Sequence, residues 1–313
     1  MANVFRITCS FLVVLIGAVA SLAQQHSVAL TFDDLPAAGI VNPAEARAIN
    51  TAIINALDRH RASAIGFVIG QRVQELGNGQ ELIGQWVKHG YDLGNHTFSH
   101  GISDNLTATE FESDIVAGEA SFAPALARVG KSPRYFRFPQ SHTGDNKEKH
   151  DAIAEFLIRR GYRVAPCTID NEDVVYNNAY LRARFSKDKE SATRIRAEYL
   201  VYTATEIDYY TGLHKQIFGR EIPHIIALHV NRLNADVIDQ LLELFEQKHY
   251  LFKTLDSVLS DPAYDTPDRF LSRYSKSGPM WGYRWAEVLD VRVNGNLETE
   301  PSPRVIQCGQ QRK

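Results

Sequence analysis

The sequence predicts an α/β barrel of about seven parallel strands with its helices outside, and two observations carry that expectation. Seven short apolar runs recur along the chain, and amphipathic, helix-forming stretches lie between most of them. A strand buried on both faces reads as an unbroken apolar run, whereas a strand with one wet face alternates, so the pattern marks a parallel sheet covered by helices. Seven such units fit a barrel, complete or incomplete, better than an open sheet.

The first strand is expected at residues 28–32 (Val28-Ala29-Leu30-Thr31-Phe32), with a helix over 44–61 after it. A strand at 64–69, a helix at 80–89 and a short strand at 91–93 follow. The helix over 111–129 is announced by Thr107-Ala108-Thr109-Glu110, a capping-box pattern in which the Thr and Glu side chains satisfy each other's backbone N–H groups. Strands at 135–138 and 162–165 flank a helix at 147–160. The rhythm then breaks. Residues 175–222 hold no clear strand but helix-forming sequence rich in tyrosine (Tyr199, Tyr202, Tyr209, Tyr210), which reads as a helical insertion. A strand at 224–228, a helix at 235–248 and a strand at 250–252 resume the pattern. Beyond residue 260 the chain is richer in Pro and Gly, and residues 261–313 are expected to wrap the barrel as a tail.

Composition narrows the class. The 313 residues are 44% hydrophobic and 23% charged, ordinary for a folded protein, and residues 24–313 suffice for one large domain. A net charge of -3 with no basic run leaves no footprint for a nucleic-acid partner. Residues 1–23 stand apart: Arg6, an apolar stretch over 11–20, and the small residues Ser21 and Ala23 around Leu22 form the three parts of a secretory signal. The apolar stretch is short for a bilayer span of about 20 residues. The mature chain is therefore expected to be secreted or periplasmic, with no membrane span once the signal is removed. Cys9 leaves with the signal. Cys167 and Cys308 remain, and although export permits a disulfide, they are read as unpaired.

Polar residues with chemical potential follow the strands directly. Asp33 and Asp34 end the first, and two adjacent carboxylates call for a metal or an Arg to neutralise at least one. His96 and His100 follow the third; at i and i+4 they share one face of a helical segment, which suits capture of one zinc ion. Two imidazoles plus a carboxylate make a catalytic zinc set with an open position for water. Arg137-Phe138-Pro139, Asp170 with Asp173, and His229 stand in the same class of position. In a barrel, functional residues gather at the C-terminal strand ends.

These groups, Thr31-Phe32-Asp33-Asp34, His96-x3-His100, Arg137-Phe138-Pro139, Asp170-x2-Asp173 and Leu228-His229, resemble the five ordered motifs of the polysaccharide deacetylases, carbohydrate esterase family four, over roughly residues 27–260. The resemblance implies a distorted (β/α) barrel and a metal-dependent hydrolase removing acetyl groups from N-acetylated carbohydrate such as peptidoglycan or chitin-type oligomers. It implies that Asp34, His96 and His100 hold Zn2+ or another divalent transition metal. It further implies Asp33 as general base, His229 as general acid beside Asp173, Arg137 as partner of Asp33, and the Gln140 amide as an oxyanion donor. Two departures touch the sugar-facing surface: Val174 stands where an aromatic wall is usual, and Gln140-Ser141 where Tyr-Gly is common. Trp281 and Trp285 of the tail are the expected replacements, since aromatic faces suit the apolar side of a sugar ring, and the Tyr-rich insertion is a second candidate wall. The competing readings are an O-acetyl esterase on xylan-like polymers, a non-sugar amide hydrolase, and a carbohydrate-binding protein without turnover. The last has no need of a base and an acid.

Overall fold

The structure, a computed structural model, describes residues 26–272, 280–293 and 299–310. Strand β1 (His26–Leu35) leads to α1 (Pro43–Arg59), β2 (Ala64–Val68), the short α2 (Gly70–Glu75), α3 (Gly79–Lys88) and β3 (Asp92–Asn95). Then come α4 (Ala108–Ala127), β4 (Tyr135–Phe136), α5 (Lys147–Arg159) and β5 (Arg163–Val164). Two helices, α6 (Asp173–Phe185) and α7 (Lys189–Phe218), separate β5 from β6 (His224–His229). The chain ends with α8 (Arg232–Gln247), β7 (Tyr250–Phe252), α9 (Leu255–Leu259), α10 (Trp281–Val288) and α11 (Pro303–Gln310).

All strand pairings are parallel, in the order β5-β4-β3-β2-β1-β6, with β7 beside the first residues of β1. The unbroken apolar run of β1 has a direct cause. Val28, Leu30 and Phe32 pack outward among helix residues such as Ile53 and Trp86, while Ala29 faces inward with Ile65, Phe67, Tyr135, Ala165 and Ile225. Both faces are dry, so both must be apolar. The seam between β5 and β6 is narrow: one bridge pairs Ile169 with Ile226, and the Thr168 and Ile169 amides both donate to Ile225 O. There the barrel is distorted. Strands β4 and β5 are shorter than the expected 135–138 and 162–165, and neither continues past the proline that follows it, Pro139 or Pro166, which carries no N–H for the ladder.

The capping box at Thr107 and Glu110 is present, with both reciprocal hydrogen bonds made. Helix α4 then buries Phe111 in a cluster with Phe136 and Phe138, stacked on Phe138 at 6.0 Å and edge-on to Phe136 at 6.2 Å. This cluster seats the Arg137-Phe138-Pro139 segment. Phe111→Ala should cost about 3–5 kcal/mol, the usual range for truncating a buried Phe, read by urea denaturation. A loss well under about 1 kcal/mol would mean that the cluster collapses around the void.

The expected insertion is helices α6 and α7, and the tail contributes α10, whose Trp285 packs against His214 and Phe218 of α7. Cys167 is buried with a free thiol. The signal at 1–23, Cys9 and the side chain of Cys308 lie outside the described residues. Among the described residues, no helix is long and apolar enough to cross a membrane.

Candidate active site and metal centre

Adjacent residues on a regular strand point to opposite faces, so Asp33 and Asp34 should not share a site. They do because β1 breaks at that point. Its register with β2 shifts between Phe32 and Leu35, and Asp34 takes a left-handed backbone (φ 66°). A bulge of this kind re-aims a side chain at a strand end. Asp33 stays in register opposite His229 of β6.

His96 and His100 do not lie on a helix, which corrects the reasoning behind their pairing. Residues 96–100 form a loop with left-handed Thr97 (φ 63°) and His100 (φ 58°), and this turn brings the two rings within 4.9 Å. A loop buried this deeply must have its backbone polar groups taken up. Thr97 O and Phe98 O accept from the first amides of α2, Thr97 N donates to Asn95 Oδ1, and Ser99 N donates to Asp114 Oδ1. Gly118 of α4 allows the close approach, since a Cβ there would lie 2.6 Å from the Thr97 carbonyl carbon.

Asp34, His96 and His100 each offer a ligand atom within 4.8 Å of the others. Asp34 Oδ1 lies 3.6 Å from His100 Nε2 and 3.9 Å from His96 Nε2. This oxygen is buried without a hydrogen-bond partner, while Arg72 Nη1 donates to Oδ2 at 3.0 Å. Burial raises the Asp34 pKa, but the charges of His229, Arg72, His100 and His96 outweigh it and bring it down to about 2. Burial pushes His100 down to about 4 and also lowers His96. The His96 Nδ1–H donates to Arg137 O at 2.8 Å, so its Nε2 lone pair faces the Asp34 oxygen. One carboxylate oxygen lacking a donor and two neutral imidazoles fit a divalent transition metal.

Arg137 is buried over the Phe67 ring and donates to Asp33 Oδ1 (2.9 Å), Thr31 Oγ1 (2.6 Å) and Ala165 O (3.2 Å). Asp173, the first residue of α6, accepts from His229 twice: from Nδ1 at Oδ1 and from the amide at Oδ2, each at 2.7 Å. Burial lowers the His229 pKa, but the charge and hydrogen bond of Asp173, with the charges of Asp34 and Asp33, raise it to about 10.

These groups open into a cleft of about 1010 Å³, lined also by Gln140, Asp170, Glu172, Val174, Tyr202, Phe270, Met280, Glu300 and Pro301. Gln140 and Ser141 are both left-handed (φ 51° and 59°), which is the turn that the Tyr-Gly departure makes unexpected. Trp281 and Trp285 do not line the cleft. Trp281 packs over the buried Arg284 guanidinium at 4.7 Å, and Arg284 donates to Ser141 O and Asp268; Trp285 is enclosed by His214, Phe218 and Tyr264. From the tail, Phe270 and Met280 reach the cleft instead. Sequence reasoning also missed Arg72, which no local signal reveals, and Asn231 and Asn234, which donate to Asp173. Asn231 ahead of an amphipathic helix is a readable N-cap, but its reach to Asp173 is a tertiary fact.

The polysaccharide deacetylase family model matches residues 22–159, the stretch holding the first three residue groups. Over these residues the chain is similar to the polysaccharide deacetylases. Curated relatives include a peptidoglycan-N-acetylglucosamine deacetylase of Bacillus cereus, 31% identical over 122 residues, covering 39% of this chain and 50% of the relative. A chitooligosaccharide deacetylase of Bradyrhizobium is 31% identical over 114 residues, covering 36% and 46%. The chain thus spans about half the length of these two relatives. Among solved structures, a mutant CE4 family pseudoenzyme with restored enzymatic activity superposes with TM-score 0.53 at 15% identity, covering 76% of this chain and 69% of that one. A family 4 acetyl xylan esterase from Clostridium thermocellum, in complex with cobalt, gives 0.51 at 18%, covering 74% and 90%. At these identities the likeness is one of fold, and a fold shared with a pseudoenzyme does not assign turnover. The residues in the cleft must carry that argument.

Proposed function

We propose that this protein is an exported enzyme of the polysaccharide deacetylase family that removes N-acetyl groups from peptidoglycan or chitin-type oligomers, with Zn2+ held by Asp34, His96 and His100. One observation carries the reading: the partnerless, buried Asp34 Oδ1 faces two imidazole nitrogens in a cleft that also holds Asp33 and His229. A divalent cation bound there would polarise an acyl carbonyl as a Lewis acid and acidify a coordinated water.

The chain's own groups supply the proton transfers. Asp33, held at Oδ1 by Arg137, takes a proton from the attacking water as the new C–O bond forms. His229, with its pKa at about 10, is protonated at neutral pH and gives that proton to the amine nitrogen as the C–N bond breaks. Acetate and a free amine result. The Gln140 amide steadies the carbonyl oxygen as charge develops on it. Tyr202, Phe270 and Met280 supply the apolar wall that Val174 does not, and a cleft near the top of the range for small-ligand pockets (about 300–1,000 Å³) suits an oligomer. The names of the two curated relatives and the signal-like residues 1–23 support a cell-wall or extracellular glycan over an internal substrate.

The test is acetate release by purified protein plus Zn2+ from acetylated chitooligomers, peptidoglycan and acetylxylan. Release is expected from the first two. Asp33→Asn should keep its metal and lose rate by roughly 10²–10⁴-fold, the usual worth of a positioned base. Release from acetylxylan alone would make the chain an O-acetyl esterase, and release from none would leave a binding protein. Loss of metal in Asp33→Asn, with activity restored by added metal, would exchange the roles of the two aspartates.

A further inference from the structure

A chain of buried side chains runs from the helical insertion to the candidate acid. Asp173 Oδ2 accepts from the His229 amide (2.7 Å), from Asn231 Nδ2 (3.0 Å) and from Asn234 Nδ2. Asn234 Nδ2 also donates to His229 O at 2.9 Å, so both of its protons are spent. Its Oδ1 must therefore accept, and it does so from the Tyr199 hydroxyl of α7 at 2.7 Å. Tyr199 has only that proton to give. Its oxygen accepts in turn from Asn171 Nδ2 at 2.7 Å, which also donates to Thr203 Oγ1 at 3.2 Å.

The donor and acceptor inventory leaves one orientation for the Asn234 amide: Asp173 Oδ2 and His229 O can only accept, so both face Nδ2, and Tyr199 anchors the other end by donating to Oδ1. Asn171, Tyr199, Thr203 and Asn234 are fully buried, and Asp173 and Asn231 are 1% exposed, so water does not substitute for a lost partner. Each bond in such a buried network adds rigidity, and the loss of one is costly and loosens its neighbours. A side chain lacking the hydroxyl at 199 leaves Asn234 Oδ1 buried and unpaired, so the amide is no longer anchored at that end and its hold on Asp173 loosens. Tyr202, on the same face of α7, lines the cleft, so one helix meets both the substrate space and the back of the acid.

We infer that Tyr199 is a positioning residue: through Asn234 it holds Asp173, and with it the His229 imidazole, in the orientation from which the proton is delivered. The inference rests on the proposed role of His229 as the acid. It makes the helical insertion part of the reaction machinery.

The experiment uses full-length, Zn2+-loaded Tyr199→Phe, with Tyr250→Phe as control. Tyr250 also gives up a hydroxyl contact, a part-buried one to Thr211 at 2.7 Å, beside the end of β1 far from Asp33. Tyr199→Phe should lower kcat on an acetylated chitooligomer about 10-fold, since small misplacements of a reacting group cost rates of that order or more. KM and metal content should stay within about twofold of wild type. The downfield proton resonance of the His229 Nδ1–H, bonded to Asp173, should broaden or move in Tyr199→Phe and stay in place in Tyr250→Phe. Equal losses of kcat in the two variants would reduce Tyr199 to a structural residue, and an unchanged kcat and resonance would overturn the inference. If the wild type releases no acetate, the proposed function fails, while the resonance still decides whether Tyr199 holds His229.

Discussion

His100→Ala should lose the stoichiometric divalent metal that the wild type is expected to keep through desalting. The site has three protein ligand atoms and no fourth among the described residues, so removing one leaves a carboxylate oxygen and a single imidazole. Arg72 then matters: its guanidinium stays 3.0 Å from Asp34 Oδ2 and repels a cation that has lost part of its compensation. The loss should exceed the roughly 10–100-fold that outer-shell partners of a metal command. With its pKa pushed down to about 4 by burial and by the charges of His96 and Arg72, His100 is already neutral at pH 7 and has no proton to surrender to the ion. Elemental analysis and a chelator competition titration read the result. Equal metal content in wild type and variant would remove His100 from the ligand set.

Asp173→Asn should move the alkaline limb of the kcat–pH profile to lower pH. Burial alone depresses the His229 pKa, and it is Asp173, by charge and by hydrogen bond, that contributes most to raising it to about 10. In the variant burial faces a weaker opposition, so His229 loses its proton at lower pH. A neutral imidazole has no proton for the leaving amine, so kcat at pH 8 should fall by roughly 10²–10⁴-fold and recover in part on acidification. The stability sign follows from the same shift. With a folded-state pKa above the unfolded value of about 6.5, His229 contributes stability that is full below about 6.5 and is lost as pH rises through about 10. The wild type should therefore show a fall in Tm across that window that is shallower in Asp173→Asn. Coincident alkaline limbs would exclude His229 as an acid held by Asp173.

The barrel was legible because its cause is local. A strand dry on both faces has to be apolar at every position, so runs such as Val28–Phe32 declare themselves without knowledge of their neighbours. The polar residues after those runs were legible for the same reason, since Asp34, His96 and His229 each interrupt an apolar pattern at a strand end. The His-x3-His spacing led to the right pair by the wrong geometry. Helical periodicity was the nearest pattern, but left-handed Thr97 and His100 build the approach from a loop whose amides and carbonyls are satisfied by α2 and α4.

Sequence by itself determined the fold class, the family likeness and which polar residues end the strands, because periodicity and motif order are written in neighbouring residues. Only the tertiary structure decided how those residues are aimed and what stands behind them. It took a bulge to bring Asp33 and Asp34 to one site, and an Arg on α2 to hold Asp34 Oδ2. The tail was legible as a tail, but its contribution to the cleft is Phe270 and Met280, because Arg284 draws Trp281 into the packing. Tyr199 lies 30 residues before His229 and was one tyrosine among several in the insertion. Its place behind the acid comes from hydrogen bonds across three elements, and contacts between distant segments leave no period in the chain for a sequence reading to find.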